Sequence, residues 1–508
     1  MPALRVMIPR RIGALLALAA FVPLAAQTPR AANVAVSRPY ATSAPANARL
    51  AARIDSILAR PNLSRATWGI EVRDAGTGQT LYARNATRPL IPASNLKLIV
   101  SAAAAHHLDP DFRFRTSLYA AGAVRDGALE GDLVLYGRGD PMMSARYFPT
   151  RTAVLEMLAD SLLARGIRRI SGGVVADESW FDGEKVRADW EAYDTRWWYA
   201  APVGALGLND NSIDFRIEPG ASAGSPARIT GSPASGAWTL ENASRTVARG
   251  GSHTFDLERG SAPGAVRAYG QIPLGTGVDT ESFAVDNPAR FTGTVFREVL
   301  ERKGIAVARD PVRVVSAPSQ STVATMTPIV EWRSPPLPQA IGPVLMNSQN
   351  WFAELLVKTL GKEVRGEGSW SAGLAVEREF LTRVVGIDSA DFVLRDGSGL
   401  SAGNSVTPRA LVRLLDYVRR TPRQAIVRRA LPVSGAQDGS LRSRLTDLRG
   451  RVAAKTGYIG GADSLSGIVT MPDGREIIFC IIVNSSGQPT ARMKAGIDDV
   501  VRAIAAAG

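Results

Sequence analysis

Alternating apolar and polar residues predict a β-hairpin at residues 67–85, in the segment TWGIEVRDAGTGQTLYARN. A Gly-containing turn divides this segment, and period-two alternation on both sides of such a turn is typical of paired strands. The segment SNLKLIVSAAAAHHL is apolar on nearly every side, which predicts a buried helix that begins at Ser94. Another helix is expected before the hairpin, from about Ala48 to Ala59.

In the middle of the chain the pattern changes to short β-rich segments that are broken by Gly, Pro and Ser. We interpret residues 115–326 as an inserted β-rich region of two modules. Helical periodicity returns near Ser348, and the chain closes with three strands and a helix from about Thr490 to Ala506.

This order of elements predicts an α+β fold in which an antiparallel sheet is flanked by helices. We expect the N-terminal hairpin to share that sheet with the C-terminal strands. The main domain is then discontinuous, with residues 48–114 and 327–508 on either side of the insertion. A chain of 508 residues with 45% hydrophobic content can bury a large core in two or three domains.

The first 26 residues predict a secretory signal peptide, because three arginines precede an apolar run that ends in small residues. Residues 27–47 are rich in Ala, Pro and Ser and are expected to form a flexible leader. No second apolar run is long enough to cross a bilayer, so no transmembrane anchor is expected after cleavage. The predicted location is the periplasm.

The formal net charge of +13 favours peripheral attraction to the polyanions of a cell envelope. The arginines are scattered, without long basic runs or interleaved aromatic residues, which disfavours nucleic acid as a partner. The three histidines match no familiar zinc spacing, so neither a metal nor a cofactor is expected. The single cysteine, Cys480, is interpreted as a small buried strand residue rather than a catalytic thiol.

Three short motifs carry the candidate chemistry, and they occur in the order SNLK, SQN and KTG. Ser94 and Lys97 lie one helical turn apart, so a lysine with a lowered pKa can remove the proton of the serine hydroxyl. Ser348 and Asn350 lie beside a predicted helix, and Lys455 lies on a predicted strand. Each motif alone is weak, but together they predict a serine acyl-transfer enzyme.

With these motifs the sequence resembles the penicillin-recognising serine acyltransferases. Among them it resembles the low-molecular-mass class C penicillin-binding proteins, the D-alanyl-D-alanine carboxypeptidase/endopeptidase family. The blocks GRGDPMMS, GGVVADESWFDG, YAAPVGALGLNDNS and DGSGLS extend the resemblance over most of the chain. The resemblance implies a DD-peptidase/β-lactamase-like catalytic domain. It also implies a secreted serine peptidase that cleaves peptidoglycan stem peptides and takes β-lactams as covalent inhibitors.

The resemblance further implies that Ser94 attacks the carbonyl between two D-alanines while neutral Lys97 takes its proton. Ser348 would relay a proton towards the leaving amine, and Asn350 would hydrogen-bond the Lys97 region and the substrate amide. Lys455 would add positive charge that helps to keep Lys97 deprotonated.

By the same resemblance, Thr456 and Gly457 bind substrate, with the Thr456 hydroxyl on the terminal carboxylate. The backbone N–H groups of Ser94 and Tyr458 would form the oxyanion hole. Asp177 matches the position that binds the amino end of a diaminopimelate side chain.

Two positions depart from the family pattern. Tyr458 stands where a small hydroxyl residue is common, which removes one carboxylate ligand or narrows the cleft. Ala402 stands where an arginine often follows DGSGLS and holds the acidic end of the diaminopimelate side chain. By sequence, only half of that subsite is present.

Two alternatives remain open from the sequence. One is an esterase, a β-lactamase-like hydrolase or a D-aminopeptidase of the same fold. The other is a catalytically silent envelope protein that binds peptidoglycan through the insertion and a basic surface. The three intact motifs disfavour the silent protein, because binding alone does not need them.

Overall fold

The structure is a computed structural model that describes residues 44–485 and 487–507. The predicted signal peptide, residues 1–26, lies outside the described residues, as does the predicted leader up to residue 43. Within the described part of the chain, no helix combines the length and the apolar character needed to span a membrane.

The N-terminal part contains the expected helix, hairpin and buried helix. In chain order these are α1 (Ala44–Leu58), β1 (Thr67–Asp74), β2 (Thr80–Arg84) and α2 (Lys97–His107). Ser94 does not open α2 itself but lies in a separate 3-10 turn, Ala93–Leu96, directly before it. Such a tightened turn is common at a helix N-terminus, and apolar periodicity does not distinguish it from the helix that follows.

The middle of the chain alternates many short strands with two helices. In chain order these are β3 (Arg115–Arg125), β4 (Ala128–Gly137), α3 (Ala153–Ala164), β5 (Arg169–Ile170), β6 (Val174–Asp177), β7 (Ser212–Glu218), β8 (Arg228–Ser232), β9 (Thr239–Asn242), β10 (Arg245–Val247), β11 (Asp256–Arg259), β12 (Ala265–Tyr269), β13 (Gln271–Pro273), β14 (Asp279–Ala284), α4 (Pro288–Arg302), β15 (Ala306–Val307), β16 (Arg313–Val315) and β17 (Pro328–Arg333).

The expectation of a β-rich insertion does not include the helices α3 and α4. The start of α4 nonetheless carries a recognisable signal, because Asn287 caps the helix by accepting from the N–H of Arg290 and Pro288 occupies the first turn.

The main sheet of this region joins β15, β5, β4, β3 and β17, with β6 and β16 paired beside β4. Since β17 pairs with β3, this sheet continues past residue 326 to Arg333.

The C-terminal part is mostly helical until its last three strands. In chain order its elements are α5 (Leu337–Met346), α6 (Asn350–Arg365), α7 (Trp370–Glu379), β18 (Phe392–Val393), β19 (Ser405–Val406), α8 (Pro408–Arg420), α9 (Ala425–Arg429), β20 (Val452–Ile459), β21 (Ala462–Thr470), β22 (Glu476–Asn484) and α10 (Thr490–Ala505).

One antiparallel sheet unites the two ends of the described chain in the order β2-β1-β22-β21-β20. The pairing of β1 with β22 runs from Thr67 opposite Asn484 to Asp74 opposite Ile477, as the expected shared sheet requires. Odd-numbered residues from 477 to 483 pack with α1 and α10, and even-numbered residues from 478 to 482 pack with α2 and α8. Burial on both faces explains the unbroken apolar run of this strand.

Cys480 belongs to the face of β22 that packs against α2 and α8, and it is fully buried. Burial raises the pKa of its thiol to about 12. A thiol that stays protonated at neutral pH is a poor nucleophile. The interpretation of Cys480 as a buried strand residue is confirmed.

Candidate active site

Ser94 and Lys97 meet because the 3-10 turn and the first turn of α2 place them on one side of the chain. The Lys97 amine lies 2.8 Å from Ser94 Oγ, 2.7 Å from Asn350 Oδ1 and 2.6 Å from the carbonyl oxygen of Ser398. The two carbonyl-type oxygens can only accept hydrogen bonds. A neutral amine that donates to both of them keeps its lone pair for the proton of the Ser94 hydroxyl.

The Lys97 side chain is fully buried, and this burial lowers the pKa of its amine to about 7. The carboxyl groups of Glu354 and Asp396 act in the opposite direction and raise the pKa of Lys97. A base with a pKa near neutrality is available for proton transfer at physiological pH. The local environment therefore suits Lys97 to general-base chemistry.

The second pair consists of Ser348 and Lys455, with the Lys455 amine donating to Ser348 Oγ at 3.0 Å and to the Thr456 carbonyl at 2.7 Å. Ser348 has a left-handed backbone (φ 61°), an unusual conformation for a residue other than glycine and one found at functional sites. Asn350 opens α6 and bridges the two sides of the site, because its amide also donates to the Tyr199 carbonyl at 2.7 Å.

Lys455 is also fully buried, and burial followed by repulsion from Lys97 holds the pKa of its amine well below the usual range. Repulsion between two amines is mutual, so the contact that disfavours charge on Lys455 also disfavours it on Lys97. Burial is the largest cause of the lowered pKa of Lys97, and this desolvation could not be inferred from the sequence. The expectation that Lys455 helps to keep Lys97 deprotonated stays a prediction.

Glu354 is a part of the site that the sequence motifs do not reveal. Its carboxylate accepts hydrogen bonds from the N–H groups of Gly397 and Ser398, the latter at 2.7 Å, and from the Trp370 indole at 2.7 Å. Burial first, and the nearby Asp396 second, raise the pKa of Glu354 to about 7. The glutamate thus holds the loop whose carbonyl contacts the Lys97 amine.

Two glycines allow the neighbouring chain segments to approach the backbone at Ser94. Gly399 has φ +82°, and a Cβ there would lie 2.0 Å from the Ala93 carbonyl oxygen. A Cβ on Gly457 would lie 3.0 Å from the Ser94 nitrogen and 2.2 Å from Ser464 Oγ. Any larger residue at either position would push its segment away from the serine.

Thr456 follows Lys455 on β20, and its hydroxyl donates to Ser440 Oγ at 2.8 Å. Tyr458 comes two residues later and is 55% exposed. The amine of Lys494 lies 5.1 Å from the centre of the tyrosine ring. This strand therefore presents the Thr456 hydroxyl to Ser440, while the Tyr458 ring lies beside Lys494 of α10.

Asp177 is the predicted site residue that the structure does not join to the others. It is 1% exposed, and its carboxylate accepts hydrogen bonds from the Ser179 N–H at 2.9 Å and the Ser321 hydroxyl at 2.7 Å. The carboxylate that contacts the DGSGLS loop is instead Asp189, which accepts from the Ser401 hydroxyl directly before Ala402. The resemblance of GGVVADESWFDG to a family block does not identify which aspartate, Asp177 or Asp189, contacts the DGSGLS loop.

Among residues 44–485 and 487–507, no group of three or more His, Cys, Asp or Glu side chains is arranged to hold a metal ion. The groups gathered around Ser94 are amines, hydroxyls, an amide and backbone N–H and C=O groups. This set can move protons and stabilise an oxyanion, which is the chemistry of acyl transfer to a serine.

Comparison with solved structures shows the fold. Penicillin-binding protein 4 of Haemophilus influenzae has the same fold, with a TM-score of 0.78 at 20% identity over 89% of this chain and 99% of that one. A second structure of that protein, complexed with a novel β-lactam, matches with a TM-score of 0.73. Both matches show that this chain has the α+β fold of penicillin-binding protein 4.

Sequence comparisons show the family. The model of the D-Ala-D-Ala carboxypeptidase 3 (S13) family matches residues 50–505. The D-alanyl-D-alanine carboxypeptidase of an Actinomadura species is 36% identical over 449 residues, which cover 86% of this chain and 81% of the relative. D-alanyl-D-alanine carboxypeptidase DacB of Haemophilus influenzae is 24% identical over 440 residues, or 84% of this chain and 87% of the relative. The chain therefore belongs to the D-Ala-D-Ala carboxypeptidase 3 family and is a serine carboxypeptidase, which confirms the resemblance.

Proposed function

We propose that this carboxypeptidase is an exported enzyme that cleaves D-Ala-D-Ala termini, D-Ala cross-links or both in peptidoglycan stem peptides through an acyl-enzyme on Ser94. The observation that carries the proposal is the 2.8 Å contact between Ser94 Oγ and a buried Lys97 amine whose pKa is lowered to about 7. The predicted signal peptide and the net charge of +13 favour an envelope location, with periplasmic export as the specific proposal.

In the proposed reaction, Ser94 Oγ forms a bond to the scissile carbonyl carbon while its proton passes to Lys97. The backbone N–H groups of Ser94 and Tyr458 stabilise the resulting oxyanion. As the C–N bond breaks, Ser348, in contact with Lys455, gives its hydroxyl proton to the leaving amine and in turn takes up the proton that Lys97 received from Ser94, which leaves Lys97 neutral again. Water then hydrolyses the ester and releases the shortened peptide.

The same route accounts for β-lactams as covalent inhibitors. Attack of Ser94 on the lactam carbonyl opens the ring, and the leaving nitrogen stays attached to the adduct. The similar fold of the Haemophilus influenzae protein, whose structure is known in complex with a β-lactam, supports this part of the proposal.

Substrate residues beyond the scissile bond are proposed to contact the strand that carries Thr456 and Gly457. For the third residue of the stem peptide, the contact between Ser401 and Asp189 favours Asp189 over Asp177 as the acidic partner of an amino group. Ala402 has no guanidinium group that could bind the acidic end of that side chain.

Mass spectrometry of the intact protein with and without benzylpenicillin tests the acyl-enzyme. We expect a mass gain of one whole penicillin molecule, mapped by proteolysis to the peptide that contains Ser94. The same protein should release D-alanine from a stem pentapeptide or separate a cross-linked muropeptide dimer. A folded protein that shows neither an adduct nor either cleavage would contradict the proposal.

The pH dependence of kcat/KM is expected to show an acid limb near pH 7, with activity rising through about 7 and levelling above it. Lys97 accepts the serine proton only when it is neutral, and its lowered pKa of about 7 makes protonation block the reaction below that pH. Steady-state rates of D-alanine release across this range measure the limb.

Glu354→Gln should move this limb to lower pH, because the ionised fraction of Glu354, whose own pKa is about 7, raises the pKa of Lys97 and a glutamine carries no charge at any pH. Glu377→Gln is a matched control, because Glu377 is also a fully buried glutamate but is not among the carboxyl groups that act on the pKa of Lys97. The control should keep the limb near pH 7. An acid limb that does not move in Glu354→Gln would exclude this electrostatic role.

A further inference from the structure

A cavity of about 290 Å³ adjoins both the Ser348 motif and the KTG strand. Its lining residues are Met346, Asn347, Gly439, Ser440, Arg442 and Ser443. Two of them directly precede Ser348 in the chain, and Ser440 accepts the hydrogen bond of Thr456. The cavity therefore lies beside the residues that would receive the leaving group. No residue of SNLK, SQN or KTG lines it.

Ser440 is held in place from two sides. Its backbone N–H donates to the Met346 carbonyl at 3.2 Å, and its hydroxyl contacts that of Thr456 at 2.8 Å. The preceding residue, Gly439, has φ +89°, and a Cβ there would lie 2.6 Å from the Met346 sulfur. The glycine allows the loop to lie against α5, so the Ser440 hydroxyl has a defined position.

The two hydroxyl groups suit a carboxylate. The oxygens of the two hydroxyl groups lie 2.8 Å apart, so one hydrogen atom lies between them. A carboxylate is an acceptor-only group with two oxygens and can take one hydrogen bond from each hydroxyl. Thr456 is the only small hydroxyl residue on β20, since the other hydroxyl belongs to Tyr458. A second short donor must therefore come from another element, and Ser440 is in position.

Arg442 supplies the charge. It is exposed and forms no ion pair with any residue in the described ranges. Lys455 directly precedes Thr456 in the chain, but burial holds the pKa of its amine well below the usual range. An arginine stays protonated in proteins, so Arg442 brings a permanent positive charge to the cavity.

Building on the proposed function, we propose that Ser440 and Arg442, together with Thr456, bind the carboxylate that lies next to the scissile nitrogen of the substrate. Hydrogen bonds to a charged group contribute about 1.5–3 kcal/mol each, which corresponds to about 10- to 150-fold in kcat/KM. The subsite would serve a D-alanine terminus and a cross-link alike, because both carry a carboxylate at this position.

A pair of substrates that differ only in this carboxylate tests the inference. The probes are an acyl-D-alanyl-D-alanine and the corresponding D-alaninamide, which have the same scissile bond. In Ser440→Ala and in Arg442→Gln, we expect the ratio of kcat/KM for the acid to that for the amide to fall about 10-fold or more. The fall should come mainly from a higher KM for the acid, since a ground-state contact is lost.

Conservative variants and a matched arginine variant distinguish a loss of carboxylate binding from a structural defect. Ser440→Thr keeps a hydroxyl and Arg442→Lys keeps a charge, so each should restore part of the ratio. Arg449→Gln removes another exposed arginine, seven residues further along and outside the cavity, and should leave the ratio unchanged.

An equal loss for acid and amide in both variants would overturn the inference, because a structural defect affects the two substrates alike. If the unmodified enzyme releases D-alanine but the ratio stays constant in the variants, the proposed subsite is wrong and the proposed function stands. If the unmodified enzyme cleaves neither substrate and forms no penicillin adduct, both the proposed function and the subsite are overturned.

Discussion

Replacement of Ser94 by alanine is expected to abolish the benzylpenicillin adduct and to lower D-alanine release by about 10⁵-fold or more. In the proposed reaction the serine oxygen forms the new bond, so no other group can rescue covalent catalysis. Lys97 would remain in place with its contacts to Asn350 and Ser398, which keeps the site folded. Intact-protein mass spectrometry and D-alanine release measure the two losses.

Ser101→Ala is the matched control for this variant. Ser101 is a fully buried serine on α2, and its hydroxyl has no hydrogen-bond partner among the described residues. Its replacement should leave both the adduct and the release of D-alanine in place. A Ser94→Ala protein that still gains the mass of penicillin, on Ser348 or elsewhere, would show that Ser94 is not the nucleophile.

The catalytic candidates could be identified from sequence because each motif combines a residue type with a local setting. A serine and a lysine three residues apart lie on the same side of a helical turn, and this holds for the 3-10 turn of Ser94 as well as for the predicted α-helix. The structure brings Ser94, Lys97 and Asn350 into direct contact and places Lys455 against Ser348. The shared sheet follows from similar local information, because both the hairpin and the late strands alternate or run apolar over their full length.

What the sequence could not predict depends on contacts between distant segments. Glu354 lies in an apolar stretch of α6, and only the fold places it against the N–H groups of Gly397 and Ser398. Its isolation among the apolar residues of the segment WFAELLV is the signal that marks it, since a buried carboxylate needs partners. The proposal of Asp189 in place of Asp177 likewise depends on a contact with Ser401, which lies more than 200 residues away along the chain.

Lys97→Met is expected to slow acylation of Ser94 by about 10²- to 10⁴-fold, the usual contribution of a general base. Methionine keeps an unbranched side chain in the buried site but cannot take the serine proton. The acid limb near pH 7 should disappear together with the rate, because the group whose pKa is lowered to about 7 is gone. The second-order rate of penicilloylation as a function of pH measures both effects.

The chain offers a second buried lysine that separates this role from the general cost of losing a buried amine. Lys358 lies on α6 with a fully buried side chain, in an ion pair with Asp182 at 2.7 Å and with its amine 4.2 Å from the centre of the Trp370 ring. Lys358→Met should lower the melting temperature, since it leaves Asp182 without its partner. Its folded fraction should still acylate with the limb near pH 7. A base role for Lys97 would be excluded if both variants lost acylation equally at a temperature where each is folded, because the effect would then follow burial rather than proton transfer.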